Sequence, residues 1–187
     1  LTESEIEKNK GYLNSLIKKD DRKIWCLIMG GPTKYYDYST KNMKHIFSIF
    51  YKLLKKQKFQ LVVIPSMRTP LNTIHYAKEF FGENHTVVMN VDKKAYLSAL
   101  AISENIVVTC DSSSMISEAA LTGKPVYIAN ILPRKNDIRF QRFRNLFREL
   151  NITRNLGEDM ETWTYQKLDE TNSCLLYTSP SPRDISR

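Results

Sequence analysis

Apolar positions along the chain fall into two alternating patterns. Short continuous runs at Ile24–Met29, Gln60–Pro65, Thr86–Met89, Ile106–Thr109 and Pro125–Ala129 end at glycine, proline or small polar residues and predict strands. Between them, apolar residues recur at helical spacing. Met43, Ile46, Phe47, Phe50, Leu53 and Leu54 predict one helix; Ile74, Ala77 and Phe81, after Pro70, predict another that stops at Gly82. Further helices are predicted over Tyr96–Ile102, over Met115–Leu121 with closure at Gly123, and through Phe140, Phe143, Phe147 and Leu150. Ile6, Leu13, Leu16 and Ile17, spaced among charges, predict a helix over residues 3–19 that leads into the domain.

Strands that are apolar throughout, rather than alternating, belong to a sheet covered on both faces. Repeated βα units with right-handed crossovers then predict an α/β fold, a doubly wound, Rossmann-like parallel sheet. The 187 residues suffice for one such domain. The expected layout is an interdomain helix or linker over 1–22, the Rossmann-like domain over 23–172, and a tail over 173–187 of another character. That tail, with Cys174-Leu-Leu-Tyr-Thr-Ser-Pro-Ser-Pro, resembles a translated sequencing adapter and is expected to be disordered. The chain begins at Leu1 rather than Met, which reads as a fragment with its upstream half missing.

Composition narrows the class. Hydrophobic residues at 42% and charged residues at 26% fit a globular protein, and no apolar run approaches the ~20 residues that span a bilayer. Cys26, Cys110 and Cys174 form no CxxC pair, and His45, His75 and His85 share no ligand spacing, so neither a metal nor another cofactor is expected. Buried cysteines and the missing disulfide framework fit a reducing, cytoplasmic setting. The net charge of +8 owes much to Arg134–Arg154, where seven basic residues stand against Asp137 and Glu149. Such a stretch is either a solvated helix face or a peripheral membrane contact; without a nucleic-acid motif, nucleic acid is not an expected partner.

In a doubly wound sheet, ligands bind at the carboxyl ends of the strands near the switch point. Three of those loops carry candidate chemistry. Asp111, Ser112, Ser113 and Ser114 lead into a helix containing Glu118; small residues and free first-turn N–H groups suit a diphosphate, and Glu118 could accept from ribose hydroxyls. The same residues also suit plain helix capping. In the loop after the first strand, Gly30 and Gly31 allow tight turning and close backbone approach, with Thr33 and Lys34 beside them. Ser66, Arg68 and Thr69 follow the second strand, where Arg68 could clamp a phosphate or brace its loop.

Taken together, Gly30-Gly-Pro-Thr-Lys34, Ser66-Met-Arg-Thr-Pro70, Val108 to Ala119, Thr122-Gly-Lys-Pro-Val-Tyr127 and the late Asp159-Met-Glu-Thr-Trp163, with Tyr165, Leu168 and Asp169-Glu-Thr171, resemble the elongated-mitochondria family of mitochondrial fission proteins and its bacterial relatives. The match covers the second half of a family member. One departure stands out: Met67 occupies a position where the family carries an arginine, leaving Arg68 alone. A second is the shortened stretch Asn90 to Tyr96 before the fourth strand. The resemblance implies the C-terminal domain of a GT-B architecture, which holds the nucleotide of a UDP-sugar, and a catalytic base supplied by the N-terminal domain that is absent here. It further implies a glycosyltransferase of envelope polysaccharide or glycolipid synthesis, the fragment itself being inactive. The alternatives are a UDP-sugar epimerase, since Asp111 to Tyr127 is similar to the UDP-binding element of UDP-GlcNAc 2-epimerases, or a non-enzymatic adaptor recruiting a dynamin-related partner.

Overall fold

The computed structural model describes residues 1–157 and 159–168. Its sheet has six parallel strands: β1 (Lys23–Ile28), β2 (Phe59–Ile64), β3 (Thr86–Val87), β4 (Asn105–Thr109), β5 (Val126–Ala129) and β6 (Thr153–Asn155). Their order is β3-β2-β1-β4-β5-β6, so the sheet grows one way from β1 and the other way from β4. The five predicted strands are all present. β6 has no counterpart in the hydrophobic pattern, because a three-residue edge strand reading Thr-Arg-Asn carries no apolar run. β3 stops two residues short of its predicted end, at Val87.

The helices are α1 (Glu3–Lys8), α2 (Thr40–Lys56), α3 (Leu71–Phe81), α4 (Lys93–Ile102), α5 (Ser113–Ala119) and α6 (Ile138–Glu149). Local chemistry sets their ends. Ser39 accepts from Asn42 N–H at the start of α2, and Asp92 accepts from Lys94 and Ala95 N–H at the start of α4. Gly82 and Gly123 take positive φ angles of 66° and 72° after α3 and after the turn that extends α5, where a side chain would be strained. The single helix expected over residues 3–19 is instead α1 followed by a 3₁₀ segment, Lys10–Ser15.

That N-terminal segment is packed on the domain. Leu13 is fully buried, its N–H donates to Ser98 Oγ on α4, and Ser98 Oγ donates back to Lys10 O. Lys18 exchanges two hydrogen bonds with the Gln60 side chain on β2. Right-handed crossovers carry α2 and α3 over one face of the sheet and α4, α5 and α6 over the other. Phe47 on α2 packs against Tyr76, Phe80 and Phe81 of α3. Trp25 stacks between Phe59 and Tyr127, and Trp163 meets Tyr127 edge-on. Residues 159–168 are thereby tied to β5, and Tyr127 both accepts from Glu161 N–H and donates to Glu161 O at 2.9 Å. The tail expectation, including Cys174, and the family-like Asp169-Glu-Thr171 lie outside the described residues.

Candidate functional site

Where growth of the sheet reverses, the loops leaving β1 and β4 face each other across the carboxyl edge. Their backbones come very close. A Cβ on Gly30 would lie 2.1 Å from Asp111 Oδ2, and one on Gly31 would lie 2.0 Å from the Arg68 carbonyl oxygen. Neither glycine has a positive φ, so it is close approach, and not tight turning, that demands them.

Asp111 is the centre of this meeting. Its carboxylate is wholly buried and accepts from Gly31 N–H at 3.1 Å, from the Tyr38 hydroxyl at 2.5 Å and from Arg68 Nη2 at 3.1 Å. Tyr38 also reaches Thr109 Oγ1 at 2.9 Å, and Thr109 Oγ1 accepts from Gly30 N–H at 2.8 Å. Burial, and then the adjacent Asp111 carboxylate, push the Tyr38 phenol well above its ordinary pKa and keep it a donor. Arg68 adds a bond to Gly31 O at 3.2 Å while 47% of its side chain stays exposed. Thr69 accepts from Ser66 N–H and directs its hydroxyl to the Gly30 carbonyl at 2.6 Å. The structure thus joins Gly30, Gly31, Ser66, Arg68, Thr69 and Asp111 in one network. Met67, beside Arg68, projects into solvent with 89% of its surface exposed.

The serines stand next to it. Ser112 occupies the N-cap position of α5 without any side-chain capping bond, so the plain capping reading is not realised here. Ser113 is 5% exposed and its hydroxyl is buried without a hydrogen-bond partner, whereas Ser114 is exposed. Glu118, further along α5, is half-buried; burial lifts its carboxyl pKa, and the nearby Tyr96 hydroxyl opposes that lift.

Thr33 and Lys34 are engaged differently. Thr33 Oγ1 accepts from the N–H groups of Tyr35 and Tyr36, its carbonyl accepts from Arg134 at 2.8 Å, and the Lys34 ammonium sits 5.2 Å from the Tyr35 ring centre. These contacts shape the loop and tie it to the loop after β5. The tie continues through Tyr36, whose hydroxyl bonds the Asp137 carboxylate and accepts from Arg144 at 3.0 Å. Burial works against the Asp137 anion, but donation from Tyr36, Gln141 and Arg144 outweighs it and holds the pKa low. Arg144, counted in sequence with a basic face, is therefore turned inward, its side chain 16% exposed.

Tyr36, Tyr38, Thr109, Asp137 and Arg144 escaped sequence reasoning. A usable signal was present: three tyrosines at 35, 36 and 38 follow the glycine pair, and buried tyrosines require partners for their hydroxyls.

Comparison with known proteins extends the picture. The family model described as Mitochondrial fission ELM1 matches residues 1–175. Mitochondrial fission protein ELM1 of Arabidopsis thaliana is 35% identical over 111 residues, 57% of this chain and 26% of that protein. An uncharacterized protein of Rickettsia prowazekii (strain Madrid E), RP120, is 27% identical over 159 residues, 80% of this chain and 44% of its own length. The chain therefore spans less than half of either relative. Among solved structures, UDP-GlcNAc 2-epimerase from Neisseria meningitidis bound to UDP-GlcNAc superposes with a TM-score of 0.52 at 17% identity, over 82% of this chain and 36% of that one. The S. aureus MnaA–UDP complex superposes with a TM-score of 0.55 at 15% identity, over 74% of this chain and 34% of that one. The doubly wound fold is common to all three.

Proposed function

Since the chain belongs to the Mitochondrial fission ELM1 family, we propose that it forms the C-terminal, nucleotide-sugar-binding half of a GT-B-like protein that processes a UDP-sugar. The carrying observation is the meeting of the β1 and β4 loops at the switch point, where the α5 first turn lacks a side-chain cap and Ser113 Oγ lacks a partner. Those groups are the donors a diphosphate needs, with Ser112 and Ser114 flanking them. The two solved structures of the same fold hold UDP or UDP-GlcNAc, which supports the choice of ligand.

Roles within the crevice divide by what each residue has left to offer. Asp111 spends its acceptors on the protein, so it shapes the crevice and does not face the anion. Arg68 keeps its exposed side free for a phosphate, and Glu118 supplies a carboxylate to the ribose hydroxyls. Residues 1–22 would connect this half to an upstream domain, and the groups that complete catalysis would come from there. Among the described residues no helix is long and apolar enough to cross a membrane. A peripheral contact through Arg134–Arg154 is compatible with this reading, although Arg144 is not available for it.

Isothermal titration of the 187-residue chain with UDP tests the reading. Saturable binding that is weakened about tenfold or more by Glu118→Ala is expected, as for loss of hydrogen bonds to a charged group. An absence of UDP binding at millimolar concentration, or an unchanged affinity in Glu118→Ala, would overturn it.

A further inference from the structure

Beyond the crevice, at the carboxyl ends of β5 and β6, α6 overhangs a separate recess of about 260 Å³. Its polar wall includes Asn130, Asn145, Arg144, Arg148, Arg154 and Asn155, and none of its lining residues is a carboxylate. The arginines differ in how they are committed. Arg144 is bonded to Asp137, and Arg154 is paired with Glu161 and lies over the Trp163 ring, 4.3 Å from its centre. Both are therefore held in place by groups outside the recess. Arg148 has no ion-pair or hydrogen-bond partner for its guanidinium among the described residues, and it borders both this recess and the neighbouring one beyond β6. Asn130 donates to Asn155 Oδ1 at 3.0 Å, which fixes the rim at the strand tips.

Arg144 and the Gln141 amide are committed to Asp137, which leaves the unpaired Arg148, the outer side of Arg154 and the amides of Asn130 and Asn145 as a surface that favours an anion with several acceptor oxygens. At about 260 Å³ the recess has room for a group the size of a phosphate monoester. We propose that this recess is a phosphate-binding site, distinct from the switch-point crevice and independent of what binds there. The phosphate could be free, or carried by a lipid headgroup at a membrane surface.

The test follows the side-chain amide NMR signals of Asn130, Asn145 and Asn155 while inorganic phosphate, and then glycerol phosphate, is added to the 187-residue chain at constant ionic strength. Saturable shifts of these signals are expected, and Arg148→Ala should weaken the apparent affinity about tenfold, the loss of a charge-assisted bond. Arg148 is exposed, so this variant should fold, and an unchanged unfolding midpoint would confirm that. A parallel arm measures sedimentation with vesicles of phosphatidylcholine with and without phosphatidic acid. Capture that requires phosphatidic acid and Arg148 identifies the lipid source; amide shifts without capture identify a soluble phosphate. Amide signals that do not move, or that move equally in Arg148→Ala, overturn the proposal. Because the readout sits on β5, β6 and α6, it stands or falls separately from UDP binding at Glu118.

Discussion

Replacing Asp111 by alanine removes a wholly buried carboxylate and strands three donors at the switch point. The Gly31 N–H is buried with no alternative acceptor in its bond pattern, and orphaning such a group costs about 1–3 kcal/mol. Tyr38 loses a bond to a charged group, in itself about 1.5–3 kcal/mol, but it keeps Thr109 Oγ1 at 2.9 Å, so the lower end applies. Arg68 is half exposed and can turn to water, which limits its share to below about 1 kcal/mol. Asp111→Ala should therefore lose about 3–4 kcal/mol, a fall of roughly 10 °C in Tm for a chain of this size. Asp111→Asn should retain most of that stability. Its amide oxygen can face Gly31 and Arg68, while its NH₂ donates to a Tyr38 hydroxyl turned toward Thr109. Urea unfolding followed by circular dichroism on the three proteins measures the difference. If the alanine variant loses under about 1 kcal/mol, or the asparagine variant loses as much as the alanine, Asp111 is not the hub that holds the crevice.

Two further outcomes follow from the same geometry. Gly31→Ala would place a methyl group 2.0 Å from the Arg68 carbonyl oxygen, a backbone atom with no rotamer to escape into, and should cost about 3 kcal/mol in urea unfolding; a loss below about 1 kcal/mol would show that the loops separate freely. His85 Nδ1 accepts from Leu61 N–H at 3.0 Å, which requires a neutral ring, and burial, then Arg22 and Lys18, bring its pKa down to about 4 from 6.5. The folded value lies below the unfolded one, so its contribution is full above pH 6.5 and is lost as pH falls toward 4. The wild type should lose more stability than His85→Asn between about pH 7 and about pH 4.5, and equal losses would refute the assignment.

The fold was legible because its signals are additive. Four of the buried strands each contain an apolar run of three or more residues, and the longer helices repeat an apolar face over several turns, so single irregularities such as Gln60 do not hide them. The misses are all elements too short to carry a pattern. β6 is a polar edge strand held by pairing with β5, and the break after α1 falls at Asn9, whose side chain donates to Glu5 O but makes no capping bond for the 3₁₀ segment that follows. Neither is encoded by periodicity; both depend on neighbours distant in sequence.

The crevice shows a different kind of partial legibility. The residue types pointed to loops that do meet in the structure, yet they could not say which groups the protein consumes for itself. Asp111 and Ser112 both look like helix caps in sequence, and neither caps: the carboxylate turns back to Gly31, Tyr38 and Arg68, leaving the start of α5 without a side-chain acceptor. That diversion depends on Tyr38, which is 73 residues away from Asp111 in sequence, and on Gly31, whose lack of a side chain lets the loops approach. The proposed site would thus depend on withholding a cap. A carboxylate at the α5 start would have satisfied its N–H groups and repelled a diphosphate, whereas one sequestered beneath it anchors Arg68 beside them with the opposite charge outward. The same residue that argues against anion binding by its own charge is, by its partners, what keeps the crevice suited to one.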